Sequence, residues 1–392
     1  MKFLTAGESH GKGLTIILDD VPAGLELSSE AINLDLQRRQ QGYGRGGRMA
    51  IEKDTVEFMA GVRFGKTTGA PIALFVANRD HKNWAGIMDA EGEPSDEKRF
   101  SRPRPGHADL AGYYKYGLTD LRDALERASA RETAARVAAG AVAKALLRSL
   151  DMDVMSHVVK LGGLAIPPDS LPTDFYSLRN RAEANDLRCG ADDAFLATVR
   201  QHIDATRKAG STLGGEVEVL GLNLPPGLGS YVQWDRKLDG QLAQALMSIQ
   251  AIKAVSIGDG AHGGDVSGVD FHDEITLDDE HRLARPTNRA GGLEGGVTNG
   301  QPLVCRATMK PIATLIKPLT SVNLDTQTEE KAHFERSDVT AVPAAAVVAE
   351  AMVALVLATA VQDKFGHDSV VEIKRNLQAY LEQLEPLPFA NR

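Results

Sequence analysis

The stretch RRQQGYGRGGR, Arg38 to Arg48, carries the spacing G-x-G-x-x-G at Gly42, Gly44 and Gly47. Whether those glycines form a dinucleotide fingerprint decides the fold class. Such a fingerprint follows a strand and opens a helix, so that the helix N-terminus meets a pyrophosphate. Here the order is reversed. SSEAINLDLQRRQ, Ser28 to Gln40, starts with a serine cap and reads as a helix that runs into the glycines. MAIEKDTVEFMAGV, directly after Arg48, reads as a strand. The doubly wound nucleotide fold is therefore disfavoured.

Elsewhere in the chain, short runs rich in Val, Ile and Thr recur between turn residues: LTIILDDV, TVEFMAGV, APIALFVAN, GEVEVLGL and QPLVCRATM. They read as strands. They cluster with one another and do not alternate strictly with helices, which points to an α+β fold with antiparallel sheets. TDLRDALERASARETAARVAAGAVAKALLRSL, Thr119 to Leu150, reads as one long helix of good helix formers. Its small apolar positions, such as Ala135, Ala138, Ala139 and Val142, permit close packing against another layer. DRKLDGQLAQALMSIQAIKAV, Asp235 to Val255, places Leu238, Leu242, Ala245, Leu246 and Ile249 on one helical face. Long alanine-rich helices beside many strands suggest helices held between sheets.

The 392 residues, 43% apolar and 25% charged, have the composition of a soluble globular protein. A formal charge of −9 disfavours general binding to nucleic acid or membrane surfaces. Two cysteines, Cys189 and Cys305, exclude a disulfide framework and suit a reducing cytoplasm. The N-terminal MKFLTAGESHG lacks the apolar core of a signal peptide. The most apolar segment, Ala341 to Val361, is interrupted by Glu350, and its longest uncharged piece is shorter than the roughly 18 residues of a membrane span. It reads as a buried helix.

Against this acidic background the arginine-glycine stretch is conspicuous. Glycine content alone would make it a flexible loop. Its arginines add forks that grip carboxylate or phosphate. GESHG places Ser9 and His10 in a tight turn after the first strand, and RPRPGHADL places His107 in another. Most of the ten histidines have no special setting; these two sit where the backbone would fix the ring and where a general acid would serve. A metal reading of GHAD lacks the usual ligand spacing, and no metal is expected. ERASARETAAR puts Arg127 and Arg131 four apart, as Ser129 and Thr133 are. Alone it would read as a solvated face with ion pairs. FERSDVTAVP ends at the apolar helix, so Ser337 or Asp338 is equally a helix cap or a functional residue.

Taken together, GESHG, RRQQGYGRGGR, RPGHADL, ERASARETAARVAAGA, MSIQAIKAVSIGDG, GGLEGGVTNGQP, KPIAT and ERSDVTAVPA occur in an order that resembles the chorismate synthases. The resemblance runs from Phe3 to about Phe365. It implies one domain over residues 1–392, with a tail from about 366 in which no motif is recognised, and a β-α-β sandwich assembling as a homotetramer. It implies conversion of 5-enolpyruvylshikimate 3-phosphate to chorismate and phosphate, an anti-1,4-elimination. Reduced FMN is required without net redox change, and NADPH is involved only indirectly, in flavin reduction. No added reductase segment is evident, so a separate flavin reductase is expected as partner.

The same resemblance supplies roles. Ser9, Arg39, Arg45, Arg48, Arg104, Arg131 and Arg336 would surround the triply acidic substrate, with Glu126 and Glu132 orienting neighbouring arginines. His107 would serve the substrate phosphate, His10 the reduced flavin, and Asp338 the carbon 6 hydrogen. Arg127, Ala128, Ser129, Gln250, Ala251, Gly295, Lys310, Pro311, Ile312, Ala313, Thr314 and Arg336 match the flavin-binding positions. Ala313 stands where many relatives carry serine. Two rivals remain open: a nicotinamide-dependent oxidoreductase using the glycines, and a non-enzymatic anion- or nucleic-acid-binding module using the arginines. Neither explains why the separate motifs occur together.

Overall fold

A computed structural model describes residues 1–46, 53–93, 95–335 and 338–384. Two antiparallel sheets enclose the helices. The first has strand order Lys2–Ala6, Gly13–Asp19, Ile72–Ala77, Val56–Ala60. The second has order Ile252–Ile257, Leu303–Met309, Gly215–Leu222, Asp153–Leu161, Leu164–Ala165. Strand alternation sets the inner faces. Leu14, Ile16 and Leu18 of the first sheet are buried, as are Val217, Val219, Leu303 and Cys305 of the second.

Between them lie the helices Ser29–Gln40 and Thr133–Arg148, next to the first sheet, and Val342–Phe365, which packs on the second. This is the expected α+β, β-α-β sandwich. The helices Thr133–Arg148 and Val342–Phe365 cross closely. A Cβ on Gly140 would come within 2.3 Å of the Ala351 Cβ, so the crossing depends on small side chains from both helices. The apolar segment is the central helix of this layer. By length and composition it could cross a bilayer, yet 89% of its most apolar window is buried inside the protein. Glu350, the acid in its apolar stretch, is also buried, and accepts from Arg38 at 2.8 and 2.9 Å, from Lys144 at 2.5 Å and from Ser156 at 2.8 Å.

Two helix boundaries differ from expectation. The stretch Thr119–Leu150 is not one helix. It forms Arg122–Ala128, breaks at Ser129, and resumes through a short 3-10 turn into Thr133–Arg148. Ser129 is extended (φ −60°, ψ 143°), and its hydroxyl caps the second piece by accepting from Arg131 N at 3.2 Å. The segment after Lys237 is helical only over Leu238–Met247. Ala251 adopts φ +67°, and the branched residues beyond it join the edge strand Ile252–Ile257. The C-terminal tail, where no motif was evident, forms the helix Val370–Gln383, which buries Ile373 and Leu377 against the core.

Candidate active site

The turn GESHG leaves the first strand through Gly7, whose φ is +113°; a Cβ there would lie 2.3 Å from the Gly13 carbonyl oxygen. Only glycine fits. The turn is then held from two sides. Asn78 Nδ2 donates to the carbonyls of Glu8 (3.0 Å) and Gly11 (2.8 Å). Glu126 accepts the His10 main-chain N–H at 2.8 Å and lies 2.8 and 3.0 Å from His10 Nδ1. Ser9 N donates to the Glu126 carbonyl, and the Ser9 and Ser129 hydroxyls are 3.2 Å apart. His10 is 6% exposed, and among the described residues its Nε2 has no partner.

Behind this turn two expected arginines converge. Arg39, at the end of the helix Ser29–Gln40, donates to Asp54 Oδ2 at 2.7 Å; Arg131 donates to Asp54 Oδ1 at 2.6 Å. Arg131 also donates to Asn78 Oδ1 at 2.8 Å, which ties the arginines to the GESHG turn. One carboxylate serves two buried guanidinium groups. Burial, opposed by Asp54 but reinforced by the charges of Arg131 and Arg45, pushes Arg39 down to about 10. Among the described residues Arg39 Nε is buried with no hydrogen-bond partner. The unused Arg39 donor is what a bound anion would satisfy.

The glycine-rich loop is pinned to the opposite segment. Asp338 accepts from Gly46 N at 2.6 Å and pairs with Arg45 at 3.2 Å; Val339 N donates to the Gly44 carbonyl. Asp338 therefore does not cap the helix that follows. The Thr340 hydroxyl accepts from Val342 N at 3.3 Å instead. Arg48 and Arg336, together with Gly47 and Ser337, lie outside the described residues.

The RPRPGHADL turn forms a third group. Arg104 is buried and donates to Asp109 at 2.9 and 3.1 Å and to Thr314 at 3.1 Å. His107 Nδ1 is 2.5 Å from Asp109 Oδ1 and 3.0 Å from an Arg104 nitrogen. Although burial raises the Asp109 pKa, the His107 and Arg104 contacts hold it well below the ordinary carboxylate range. Asp109 is thus anionic and accepts a hydrogen bond from His107 Nδ1–H, which leaves Nε2 for a ligand.

The expected cofactor positions connect these groups. Lys310 Nζ donates to the Gly106 carbonyl, while its main chain donates to the Ala251 carbonyl at 2.9 Å. Thr212 donates to the Ile312 carbonyl at 2.8 Å. The run Lys310, Pro311, Ile312, Ala313, Thr314 thereby lies between the His107 turn and the Gln250–Ala251 turn. Gln250 Nε2 donates to Glu132 at 3.0 Å, and among the described residues its Oε1 is buried without a partner. Ala128 ends the helix that carries Glu126. Arg127 does not share a face with Arg131, because the helix breaks between them. Its exposed guanidinium donates to the carbonyls of Thr5 and Gly7. Gly295 stands apart, in the hairpin turn between Leu293–Glu294 and Val297–Thr298. That hairpin meets the N-terminal end of the helix Leu238–Met247, whereas Gln250 follows its C-terminal end. About 15 Å of helix separates them.

Asp54, Asn78 and Arg122 were not anticipated. Asp54 lies two residues before the strand Val56–Ala60 and Asn78 directly follows Ile72–Ala77, so neither carries a motif; only their pairing across the fold shows their use. The expectation that Glu132 orients an arginine holds, through Arg136 at 2.9 Å. Glu126 serves His10 first, and Arg122 only at 3.4 Å.

The sequence profile described as chorismate synthase matches residues 1–362. The chain is 52% identical to the chorismate synthase of Aquifex aeolicus over 98% of both chains. It is 54% identical to that of Symbiobacterium thermophilum, covering 98% of this chain and 99% of the relative. A crystal structure of a chorismate synthase is similar with a TM-score of 0.79 at 42% identity, covering 98% of each chain. The chain belongs to the chorismate synthase family.

Proposed function

We propose that this protein is a lyase that converts 5-enolpyruvylshikimate 3-phosphate to chorismate and phosphate, the last step of the shikimate pathway, by anti-1,4-elimination. The observation that carries the reading is the crowding of Arg39 and Arg131 on one carboxylate, with the Arg39 Nε left unused. A substrate with two carboxylates and a phosphate offers acceptors to such guanidinium donors.

The proposed cofactor is reduced FMN. Its fit is one of donor chemistry: the unpartnered Gln250 Oε1 suits a flavin N–H, and Lys310 and Arg127 suit its phosphate or ring oxygens. Ala128, Ser129, Ala251 and the residues from Pro311 to Thr314 would hold it, and Arg336 and Gly295 are assigned to it by family resemblance alone. When bound, it supplies electron density to the reacting allylic system and is recovered unchanged.

The chain's own residues do the rest. Arg39, Arg45, Arg104 and Arg131, with Ser9 and, by resemblance, Arg48 and Arg336, bind and orient the anionic groups. His107, held by Asp109, presents Nε2 to the leaving phosphate and supplies a proton or a charge-assisted hydrogen bond. His10, held by Glu126, does the same for the electron-rich cofactor. Asp338 is assigned the carbon 6 hydrogen. Arg45 is one of its partners, and binding of a substrate anion to Arg45 would loosen that pair and make the carboxylate a stronger base. The reading includes a single domain, a homotetramer, a cytoplasmic setting, and a separate flavin reductase drawing on NADPH.

The direct test is anaerobic incubation of the protein with substrate and photoreduced FMN. Phosphate release without net flavin oxidation is expected. Folded protein that releases none would sink the proposal.

A further inference from the structure

Trp84 belongs to none of the groups assigned above, yet it covers His10. It closes the 3-10 turn Arg79–Asn83, and its ring stacks on the His10 imidazole with centroids 3.9 Å apart and an interplanar angle of 23°. The imidazole occupies one indole face. Lys98 Nζ lies 4.0 Å from the indole centroid, which leaves it the other face. The Arg122 guanidinium is 5.2 Å from the same ring. Two cations thus hold the indole by cation–π attraction. Lys98 Nζ donates to the Asn83 carbonyl at 3.1 Å, and Arg122 Nε donates to the Lys98 carbonyl at 2.8 Å. Trp84 Nε1 donates to Asp80 at 3.3 Å. His81 adds a contact of 3.0 Å from Nδ1 to the His10 carbonyl.

The indole is therefore fixed independently of His10. Glu126 restrains the imidazole at Nδ1, in or near the ring plane, and leaves the tilt of the ring about that contact open. A flat surface at stacking distance removes that remaining freedom. We propose that Trp84 is a positioning residue for His10, an indole platform that sets the tilt of the imidazole and so the direction in which Nε2 points. This rests on the proposed role of His10. A ring aimed wrongly still binds substrate but loses transition-state contact, so the effect belongs in kcat.

Two measurements test it. The chain has two tryptophans, so Trp234→Phe leaves Trp84 as the sole emitter. In that background His10→Ala uncovers an indole face. Trp84 emission should move to the red and acrylamide quenching should rise; unchanged emission and quenching would overturn the stack. This arm needs no catalysis, so it stands even if the protein releases no phosphate and the functional reading fails. In turnover, Trp84→Phe keeps a flat ring and should hold kcat within about threefold, whereas Trp84→Leu should lower kcat about tenfold at unchanged KM. If Trp84→Phe and Trp84→Leu lose kcat equally, or lose only thermal stability, Trp84 is a packing residue and the proposal is wrong.

Discussion

His10 Nδ1 lies 2.8 Å from Glu126 Oε1, and the other oxygen of that carboxylate accepts the His10 main-chain N–H. One buried acid therefore fixes both the ring and the backbone of the GESHG turn. Glu126→Gln preserves the shape and offers an amide in place of a charge. We expect kcat to fall about 10²-fold, the scale of a lost acid–base contribution, with a much smaller change in KM. The assay is phosphate release under anaerobic conditions with reduced FMN. Unaltered turnover would show that His10 needs no anionic partner.

Arg39 and Arg131 share Asp54, and Arg39 retains a buried donor without a partner. Arg39→Lys keeps the charge but removes the planar fork. We expect substrate affinity to weaken about 10- to 100-fold, corresponding to about 1.5–3 kcal/mol for a hydrogen bond to a charged group. Equilibrium titration with substrate, without reduced cofactor, measures it. A dissociation constant equal to that of the parent protein would remove Arg39 from the substrate site.

Arg39 also marks how far the sequence could be read. The strands with alternating Val, Ile and Leu and the buried helix Val342–Phe365 were legible, because burial period and length alone specify them. The break at Ser129 was not. Helix propensity favours every residue around it, and what overrides propensity is a hydroxyl capping the next turn. The histidines in tight turns were legible because glycine and proline signal fixed backbone. Their partners, Glu126 and Asp109, and the shared Asp54 were harder to read. A carboxylate's role depends on which cation the fold brings to it across 116 residues, as in Glu126 and His10. The separation of Arg127 from Arg131 followed from the same missed break.

Gly140 and Ala351 set the spacing of the helical layer, since a Cβ at 140 would fall 2.3 Å from the Ala351 Cβ. Helix propensity alone would make Gly140→Ala favourable by about 1 kcal/mol. The clash should reverse the sign and destabilise by about 1–3 kcal/mol, the usual cost of overpacking. Denaturant unfolding of Gly140→Ala, Ala351→Gly and the double variant gives the coupling. A Cβ at 140 would also fall 2.6 Å from the Ala351 Cα and 2.9 Å from its carbonyl oxygen, so the double variant should recover only part of the loss; a Gly140→Ala variant as stable as the parent would mean that the two helices do not depend on this contact.

Glu350 supplies a pH dependence. Burial raises its pKa, but Lys144 and Arg38 outweigh burial and hold the carboxylate well below its ordinary value of 4.5. Glu183, which also pairs with Arg38, is brought to about 2 by Arg188 and Arg38 against the same burial effect. A carboxylate with a lower pKa folded than unfolded contributes stability in full above the unfolded value, and that contribution disappears as pH falls through the folded value. Unfolding free energy should therefore fall steadily from about pH 5 toward pH 2. Glu350→Gln removes one of these titrating acids and leaves Lys144 and Arg38 short of a buried counter-charge. It should cost about 3–5 kcal/mol at pH 7 and make the acid limb shallower. Chemical denaturation of both proteins across that range decides the matter. A parallel acid limb in the two would mean that folding does not lower the Glu350 pKa, and the buried network would then have to be redrawn without that charge pairing.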